Sequence, residues 1–160
     1  MTTSVPRTGV GWDSHRLAEG RRLVLGGVTV EHPLGLVGFS DADVLTHALI
    51  DALLGAAGLG DIGQHFPDTD ERWRDADSIE LLRRVRGMLG AAGVAPVNVD
   101  ATLLCEAPRL RPYRDRMRSR LAAALRISPA AVNVKFTTGE GMGWVGRGEG
   151  MAAVAIATVA

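Results

Sequence analysis

Cysteine is almost absent from this sequence, since Cys105 is the only one in 160 residues. A lone cysteine forms neither an internal disulfide nor a cysteine-rich zinc site, and such scarcity is typical of a reducing, cytoplasmic environment. Aromatic residues make up only 4% of the chain. This low content argues against a protein that binds single-stranded nucleic acid by stacking bases on aromatic rings.

Neither sign of charge is in excess, because the sequence has 18 basic and 18 acidic residues. The balance argues against a dedicated duplex-binding protein and against a polybasic membrane anchor. Long apolar runs are also missing: the stretches 52–60 and 151–160 are far shorter than the roughly 20 residues that span a bilayer. Residues 1–8 contain no apolar segment typical of a signal peptide. We therefore expect a cytoplasmic protein.

Length and residue patterns predict one α+β domain over 9–160, preceded by a short tail over 1–8. Capping residues followed by helical periodicity predict helices that start at 40–43, run over 77–93 and run over 112–125. Gly55, Gly58 and Gly60 are expected to end the first helix. Alternation predicts strands at 8–17, 97–105, 132–138 and 151–159, a hairpin of 22–25 with 28–30, and loops at 32–39 and 61–70.

Asp13 and His15 are two residues apart on a predicted strand, so their side chains share one face. His47 lies in the first predicted helix, with Asp51 one turn later to orient its imidazole or face the same cavity. Each of these residues alone is more often an ordinary surface or core residue. Together, Asp13, His15 and His47 would form a three-ligand zinc site with an open fourth position. His32 and His65 remain alternative ligands.

The glycine-rich segment 137–150 contains a G-x-G-x-x-G match but lacks the strand–turn–helix unit of a dinucleotide site. This segment could bind phosphate oxygens and a bridging Mg²⁺ ion through its two threonines, its backbone amides and Glu140. An ordinary glycine-rich connection between strands would have the same composition. The acidic loop 61–70, with its proline and glycine, could bind hydroxyls or a cation, but ordinary turns have the same composition. Cys105 has no activating partner in the sequence, which indicates a structural or pocket-lining thiol.

The chain resembles the 2-C-methyl-D-erythritol 2,4-cyclodiphosphate synthases of the non-mevalonate isoprenoid pathway. The resemblance runs from Gly9 to the C-terminus and depends on many ordered blocks, each weak alone. The blocks are 9–15 (GVGWDSH), 40–43 with His47, 51–57, 60–63, 66–70, Asp77-Ser78, Ala107-Pro108, Thr137-Thr138 with Glu140, and 146–150 (GRGEG).

This resemblance implies a homotrimer with active sites between subunits, each subunit carrying a mostly antiparallel four-stranded sheet plus a hairpin, with helices on one face. It implies Zn²⁺ on Asp13, His15 and His47, one ion per subunit, and Mg²⁺ or Mn²⁺ on Glu140. It places Arg147 and Glu149 near the trimer axis, where some family members hold an isoprenoid-like ligand. The substrate-binding residues it implies are Ser40, Asp51, Asp61, Ile62, Gly63, Phe66, Pro67, Asp68, Thr69, Asp70, Cys105, Ala107, Pro108, Arg109, Leu110, Arg111, Thr137, Trp144 and Arg147.

The implied reaction is an intramolecular phosphoryl transfer that forms a cyclic diphosphate and CMP, which is a phosphorus–oxygen lyase activity. In this reaction Thr138 would donate a hydrogen bond to the phosphates as their charge shifts. Phe39 stands where the family usually has a histidine thought to stabilise the transition state, so the catalytic role of this position is in question. Ala42 replaces a usual glycine, which we expect to be harmless at a helix start. Arg109 replaces a usual lysine. Two alternatives remain: a zinc phosphohydrolase, and a trimeric isoprenoid- or nucleotide-binding protein weakened in catalysis.

Overall fold

The computed structural model describes residues 5–160, so the first half of the predicted tail lies outside the described residues. Five helices, with three short 3-10 turns, accompany seven strands in this part of the chain. The helices are α1 (Val44–Ala57), α2 (Ile62–His65), α3 (Ser78–Ala91), α4 (Arg114–Leu125) and α5 (Gly143–Gly146). The strands are β1 (Arg7–Ala18), β2 (Leu23–Leu25), β3 (Val28–Val30), β4 (Gly35–Leu36), β5 (Pro96–Leu104), β6 (Val132–Thr137) and β7 (Gly150–Val159).

The main sheet has five strands in the order β4-β1-β7-β5-β6, so the predicted count of four is wrong. Three of its four pairings are antiparallel, as predicted, and the fourth makes the sheet mixed. Strands β5 and β6 are parallel, because α4 carries the chain back across the sheet between them and a helical crossover returns a strand in the same direction. The fifth strand, β4, pairs with β1 only at Leu17–Leu36 and Ala18–Gly35, within the predicted loop 32–39. The hairpin of β2 and β3 is confirmed.

The helix starts follow from their caps. Asp43 caps α1 by accepting a hydrogen bond from the Thr46 N–H, and Asp77 caps α3 in the same way through Ile79. Helix α1 continues through Gly55 and ends at Gly58, which has a left-handed φ of 72°. The glycine cluster thus ends the helix as predicted, at Gly58. Gly55 stays inside α1 because one interior glycine costs only about 1 kcal/mol, which the packing of a buried helix outweighs.

Strand β1 and helix α1 approach so closely that no side chain fits between their backbones. A Cβ atom at Gly11 would lie 1.8 Å from the Ala48 carbonyl oxygen, and one at Gly9 would lie 2.2 Å from that of Ala52. Gly9, Gly11, Asp13 and His15 share this face of β1, because strand side chains alternate. Gly9 and Gly11 therefore let α1 pack directly on the strand, and Asp13 and His15 contact His47 of that helix.

The opposite face of the sheet is apolar and uncovered in the single chain. Val10 is 68% exposed, Trp12 54% and Ile156 47%, and the pairing of β1 with β7 places Val10 beside Ile156 and Trp12 beside Val154. Apolar surface of this kind marks contact sites. None of the helices within residues 5–160 combines the length and apolar character needed to cross a membrane.

Candidate metal centre

Three side chains from β1 and α1 converge on one point, as the sequence predicted. Asp13 Oδ2 lies 2.8 Å from His15 Nε2 and 3.1 Å from His47 Nδ1, and the two nitrogens are 3.3 Å apart. Ligand atoms about 2.0–2.1 Å from a tetrahedral zinc ion are separated by roughly 3.3 Å. The spacing of the three atoms therefore fits a small divalent cation bound between them.

Hydrogen bonds fix which imidazole nitrogen of each histidine is free. His15 Nδ1 lies 2.7 Å from the Val37 carbonyl oxygen, which can only accept, so Nδ1 carries the proton. His47 Nε2 lies 2.8 Å from Ser78 Oγ, and the Ser78 hydroxyl donates its own hydrogen bond to the Asp41 carboxylate. His47 Nε2 therefore donates to Ser78. The other nitrogen of each ring, His15 Nε2 and His47 Nδ1, therefore faces Asp13 and is the one available to a metal ion. Without a metal, a proton on these nitrogens forms the hydrogen bonds to Asp13.

Ser78 was not predicted as a site residue, whereas Asp51 was expected to orient His47 or face its cavity. In the structure, Asp51 accepts a hydrogen bond from the Ile62 N–H at 2.7 Å, which ties α2 to α1. Ser40 Oγ lies 3.1 Å from His47 Nε2 and completes the hydroxyl pair around that nitrogen. Ser78 is 31 residues from His47 and Ser40 lies ahead of the helix, so helical spacing alone could not identify either partner.

The three converging groups strongly perturb one another. Burial by itself raises the pKa of Asp13, but hydrogen bonds from His15 and His47 outweigh burial and lower that pKa to about 2. Burial lowers the pKa of His15, yet its hydrogen bond to Asp13 and the charge of that carboxylate give a net increase. Asp13 therefore stays ionised at neutral pH and attracts a cation, whether that cation is a proton on His15 or a metal ion.

A cavity of about 470 Å³ opens from the three residues. It is lined by six of the predicted substrate-binding positions, Ser40, Ile62, Gly63, Phe66, Pro67 and Asp68, and by Phe39, the position of the family's histidine. Gly38, Trp73 and Leu81 also line it and were not predicted. Asp61 instead caps α2, Asp70 pairs with Arg72 at 2.6 Å, and Thr69 is exposed. The loop 61–70 therefore contributes one apolar wall, with Asp68 as its acidic member in the cavity.

A second cavity of about 300 Å³ lies where β5 and β6 end. Its lining includes the predicted Cys105, Pro108, Arg109, Leu110, Arg111, Thr137 and Thr138, and the unpredicted Glu106, Arg114 and Phe136. The carboxyl ends of parallel strands are a common ligand-binding position. Burial, together with the nearby Glu106 charge, raises the pKa of Cys105 to about 11, so this thiol stays protonated and unreactive.

The loop after β6 is held by a side chain that the sequence analysis did not single out. Glu106 accepts hydrogen bonds from the Gly139 and Gly141 N–H groups at 2.9 and 3.2 Å. Thr138 Oγ1 lies 3.2 Å from both the carboxylate and the N–H of Glu140, and Glu140 has a left-handed φ of 52°. Thr138 and Glu140 therefore form one compact exposed unit beside the second cavity.

The remaining predicted positions lie apart from these two cavities. Trp144 and Glu149 line a small cavity of about 170 Å³ beside His15, and Arg147 pairs with Glu149 at 2.6 Å. Ala107 precedes Pro108 in a cis peptide bond. The alternative ligand His65 contacts the Leu59 carbonyl oxygen instead, at 2.7 Å, and the metal-ligand cluster found in residues 5–160 includes neither it nor His32.

Two substitutions noted in the sequence have structural consequences. Ala42 has a left-handed φ of 56° and is fully buried, so the expectation that it is harmless at a helix start is wrong: alanine is strained where glycine is not. Phe39 lies under the Arg74 guanidinium, whose carbon is 4.7 Å from the ring centroid. The ring that lines the cavity at Phe39 is therefore covered by a cation.

Comparisons with known proteins place this chain in a family. The model of the YgbB family matches residues 6–160. The 2-C-methyl-D-erythritol 2,4-cyclodiphosphate synthase of Salinibacter ruber is 61% identical over 153 residues, which are 96% of this chain and 98% of the relative. The bifunctional IspDF of Campylobacter jejuni superposes with a TM-score of 0.94 at 40% identity over 98% of this chain, which spans 42% of that longer protein.

A CDP-bound structure of 2C-methyl-D-erythritol-2,4-cyclodiphosphate synthase superposes with a TM-score of 0.88 at 38% identity, over 96% of this chain and all of that one. The chain belongs to the YgbB family, together with the 2-C-methyl-D-erythritol 2,4-cyclodiphosphate synthases.

Proposed function

We propose that this protein converts 4-diphosphocytidyl-2-C-methyl-D-erythritol 2-phosphate into 2-C-methyl-D-erythritol 2,4-cyclodiphosphate and CMP, as a phosphorus–oxygen lyase. The observation that carries the proposal is the convergence of Asp13, His15 and His47 at the edge of a 470 Å³ cavity. Three protein ligands leave one position open for a substrate oxygen, as in catalytic zinc sites. The family relationship identifies the substrate class.

Zinc fits the donor set of this site. One carboxylate and two imidazoles with unprotonated nitrogens at tetrahedral spacing suit Zn²⁺ better than Mg²⁺, which prefers oxygen ligands. When bound, the ion would neutralise charge on a phosphate oxygen as a Lewis acid. Glu140 offers an exposed carboxylate beside the Thr138 hydroxyl, which suits Mg²⁺ or Mn²⁺ on the diphosphate.

The rest of the chemistry consists of positioning by this chain's own residues. The attacking 2-phosphate is already anionic, so no protein nucleophile is needed, and the eight-membered ring forms only if the substrate folds back on itself. The walls at Ile62, Phe66 and Trp73 shape the metal cavity for the methylerythritol part. The Thr137 and Thr138 hydroxyls and the amides of the following loop suit the diphosphate, and the second cavity suits the cytidine.

The active site is proposed to form between subunits of a homotrimer. The two cavities have no lining residue in common, so in one chain they do not form a continuous pocket. The exposed apolar face at Val10, Trp12 and Ile156 supplies a surface for contact between copies. Its burial would bring the metal cavity of one subunit against the nucleotide cavity of the next, with the Arg147–Glu149 pair toward the axis.

A specific residue favours a second candidate, a trimeric binding protein that has lost catalysis. Phe39 places an apolar ring in the metal cavity, where it can neither donate a hydrogen bond nor carry charge. The complete metal triad, Thr138 and Glu140 favour the enzyme instead.

The test is ³¹P NMR of the purified protein with the diphosphocytidyl substrate, Zn²⁺ and Mg²⁺. We expect CMP and the cyclic diphosphate in equal amounts. A linear phosphate product would indicate a phosphohydrolase. Unchanged substrate, from protein that holds one zinc per subunit, would favour the binding role. A matched sample of His47→Ala protein should give no product, because it lacks one of the three ligands.

A further inference from the structure

Arg21 holds the backbone of the segment 36–40, which forms part of the wall of the metal cavity. Its Nε donates to the Leu36 carbonyl oxygen at 3.1 Å, and its Nη2 donates to those of Gly38 and Ser40 at 3.3 and 2.8 Å. One planar guanidinium thus binds three alternate carbonyl groups of the segment. Arg21 itself lines a separate cavity of about 280 Å³, which shares no lining residue with the metal cavity.

The two remaining carbonyl groups of the segment are also bound. The Val37 carbonyl oxygen accepts from His15 Nδ1 at 2.7 Å. The Phe39 carbonyl oxygen accepts from the Asp75 N–H at 2.9 Å, and the Asp75 carboxylate lies 3.6 Å from the Arg21 guanidinium. After its first residue, the segment belongs to no strand or helix. Side chains therefore hold it in place where a sheet ladder does not.

Both histidines of the metal centre depend on groups that this segment carries. The Val37 carbonyl fixes the proton on Nδ1 of His15 and the orientation of that ring. The Ser40 hydroxyl lies 3.1 Å from His47 Nε2. Groups that bind the outer nitrogen of a ligating histidine set its tautomer and its position toward the metal. A shift of the segment therefore moves both of these contacts at once.

The same kind of contact occurs away from the metal centre. Arg118 Nε donates to the Val132 carbonyl oxygen at 2.8 Å, and its Nη2 donates to that of Pro129 at 3.0 Å. Neither of these carbonyl groups belongs to a residue that lines the metal cavity. Arg21 and Arg118 thus stabilise the backbone in similar ways, and they differ in what the held segment touches.

We propose that Arg21 is a positioning residue of the metal centre. Through the backbone of 36–40 it keeps the Val37 carbonyl in line with His15 and the Ser40 hydroxyl beside His47. The proposal rests on the metal site of the proposed function and not on the reaction, so it can be tested without turnover.

The first measurement is zinc affinity, by competition with a chromogenic chelator. Arg21→Met keeps the length of the side chain and removes its donors. Arg21→Lys keeps the charge but has no planar fork to span three carbonyl groups. Arg118→Met is the matched control, and it should lower the melting temperature without changing zinc binding. We expect Arg21→Met to weaken zinc binding about tenfold, the lower end of the usual cost for groups that orient a ligating histidine, and Arg21→Lys to weaken it less.

The second measurement is the imidazole N–H signal of His15, in NMR spectra of zinc-saturated protein labelled with ¹⁵N-histidine. In the Arg21 variants this signal should move upfield and exchange faster with water, because its hydrogen bond to Val37 lengthens. His65 is an internal reference, since its Nε2 lies 2.7 Å from the Leu59 carbonyl oxygen and its signal should stay constant. A role of Arg21 in general stability alone would not move the His15 signal selectively.

The outcomes distinguish this proposal from the proposed function. Weaker zinc binding and a shifted His15 signal in the Arg21 variants, with neither change in Arg118→Met, support the positioning role. If Arg21→Met fails to fold, the same comparison with Arg21→Lys decides. Equal losses of zinc affinity in Arg21→Met and Arg118→Met would overturn it, as would wild-type affinity and an unchanged His15 signal in both Arg21 variants. Wild-type protein that binds zinc but forms no cyclic diphosphate would overturn the proposed function alone, and wild-type protein that binds no zinc would overturn both.

Discussion

Ser78 Oγ accepts a hydrogen bond from His47 Nε2–H at 2.8 Å and donates one from its own hydroxyl to the Asp41 carboxylate. This relay joins the start of α3 to the metal-binding face of α1. Because Asp41 also accepts the Ser78 N–H at 3.0 Å, the serine is fixed by two hydrogen bonds to the same carboxylate. His47 is therefore held in the one tautomer and ring orientation that leaves Nδ1 free for a metal.

Ser78→Ala should weaken zinc binding about 10- to 100-fold, the usual cost of removing the hydrogen-bond partner of a ligating histidine. The change leaves His47 Nε2 with only the Ser40 hydroxyl at 3.1 Å. Competition with a chromogenic chelator measures the affinity directly, without reference to catalysis. Ser119→Ala on the exposed surface of α4 is the control. Equal zinc affinity in the two variants would show that the relay does not orient His47.

Gly38→Ala should also weaken metal binding, here by crowding His15. An added Cβ would lie 2.9 Å from the Ala42 Cβ and 3.1 Å from His15 Cε1, so the imidazole must shift. We expect at least a tenfold loss of zinc affinity, because a ligand displaced by a few tenths of an ångström loses its geometry.

Gly55→Ala is the control for Gly38→Ala, because it adds the same methyl group away from the metal ligands. Gly55 lies inside α1 with open space around the added atom, so the change should stabilise the fold by about 0.5–1 kcal/mol and leave zinc binding unaltered. Thermal melting and chelator competition on both variants separate the two effects. A Gly38→Ala protein with wild-type zinc affinity would contradict the crowding argument.

Much of the metal centre was predictable because its ligands follow local rules. The alternation of β1 places Asp13 and His15 on one face, and the Asp43 cap fixes where α1 begins, and with it the position of His47. The contact between the two elements is also visible in the sequence, as glycines at 9 and 11 against alanines at 48, 52 and 56. The family resemblance added the choice of ligands among four histidines.

The parts that were missed depend on contacts between distant segments. Ser78 is 31 residues from His47, and no periodicity connects them. The parallel pairing of β5 with β6 depends on the path of α4, and the two-residue strand β4 is too short to leave a pattern. Ala42 was misjudged because its strain lies in a backbone angle: the usual glycine at this position indicated a left-handed residue, but the helix-start pattern did not.

The stability of the metal-free protein should fall as the pH rises through the pKa of His15. That pKa is raised in the folded protein by the Asp13 carboxylate, despite burial, which acts in the opposite direction. Its contribution to stability is complete below the unfolded value of about 6.5 and is lost at higher pH. Asp13, with its pKa lowered to about 2, contributes above about pH 4 and loses that contribution only in strong acid.

Zinc should reverse the trend near neutral pH, because the metal competes with the His15 proton and binds more tightly as that proton leaves. Melting temperatures between pH 5.5 and 8.5, with zinc and with EDTA, should therefore diverge as the pH rises. His15→Gln should remove this divergence. A constant gap between the two curves in the wild-type protein would show that protons and metal do not compete at the triad.

Trp12→Glu should convert trimers into monomers. Trp12 is 54% exposed and lies beside Val154 on the uncovered sheet face, so burying a charge there costs more than the apolar contact contributes. Ala91→Glu, at the exposed end of α3 in the helical layer, is the control. Light scattering should give three times the chain mass for the wild type and the control. A trimeric Trp12→Glu protein would assign the interface to another surface.

Phe39→His should raise the turnover number of the enzyme, because it places a hydrogen-bond donor in the metal cavity that phenylalanine cannot supply. Removing one comparable donor from an oxyanion hole costs about 10²–10³ in rate. The nearby Arg74 does not replace it fully, since its guanidinium is engaged by Glu71 at 2.6 and 2.8 Å. We therefore expect a gain of tenfold or more in kcat, with little change in KM.

Phe39→Leu is the matched variant, because it removes the ring and its contact with Arg74 without adding a donor. Its turnover should equal that of the wild type or fall below it. If the histidine and leucine variants gain equally, the benefit comes from space in the cavity and not from a hydrogen bond. If neither changes the rate of an active enzyme, the two metals and Thr138 already stabilise the developing charge, and this position is free to vary.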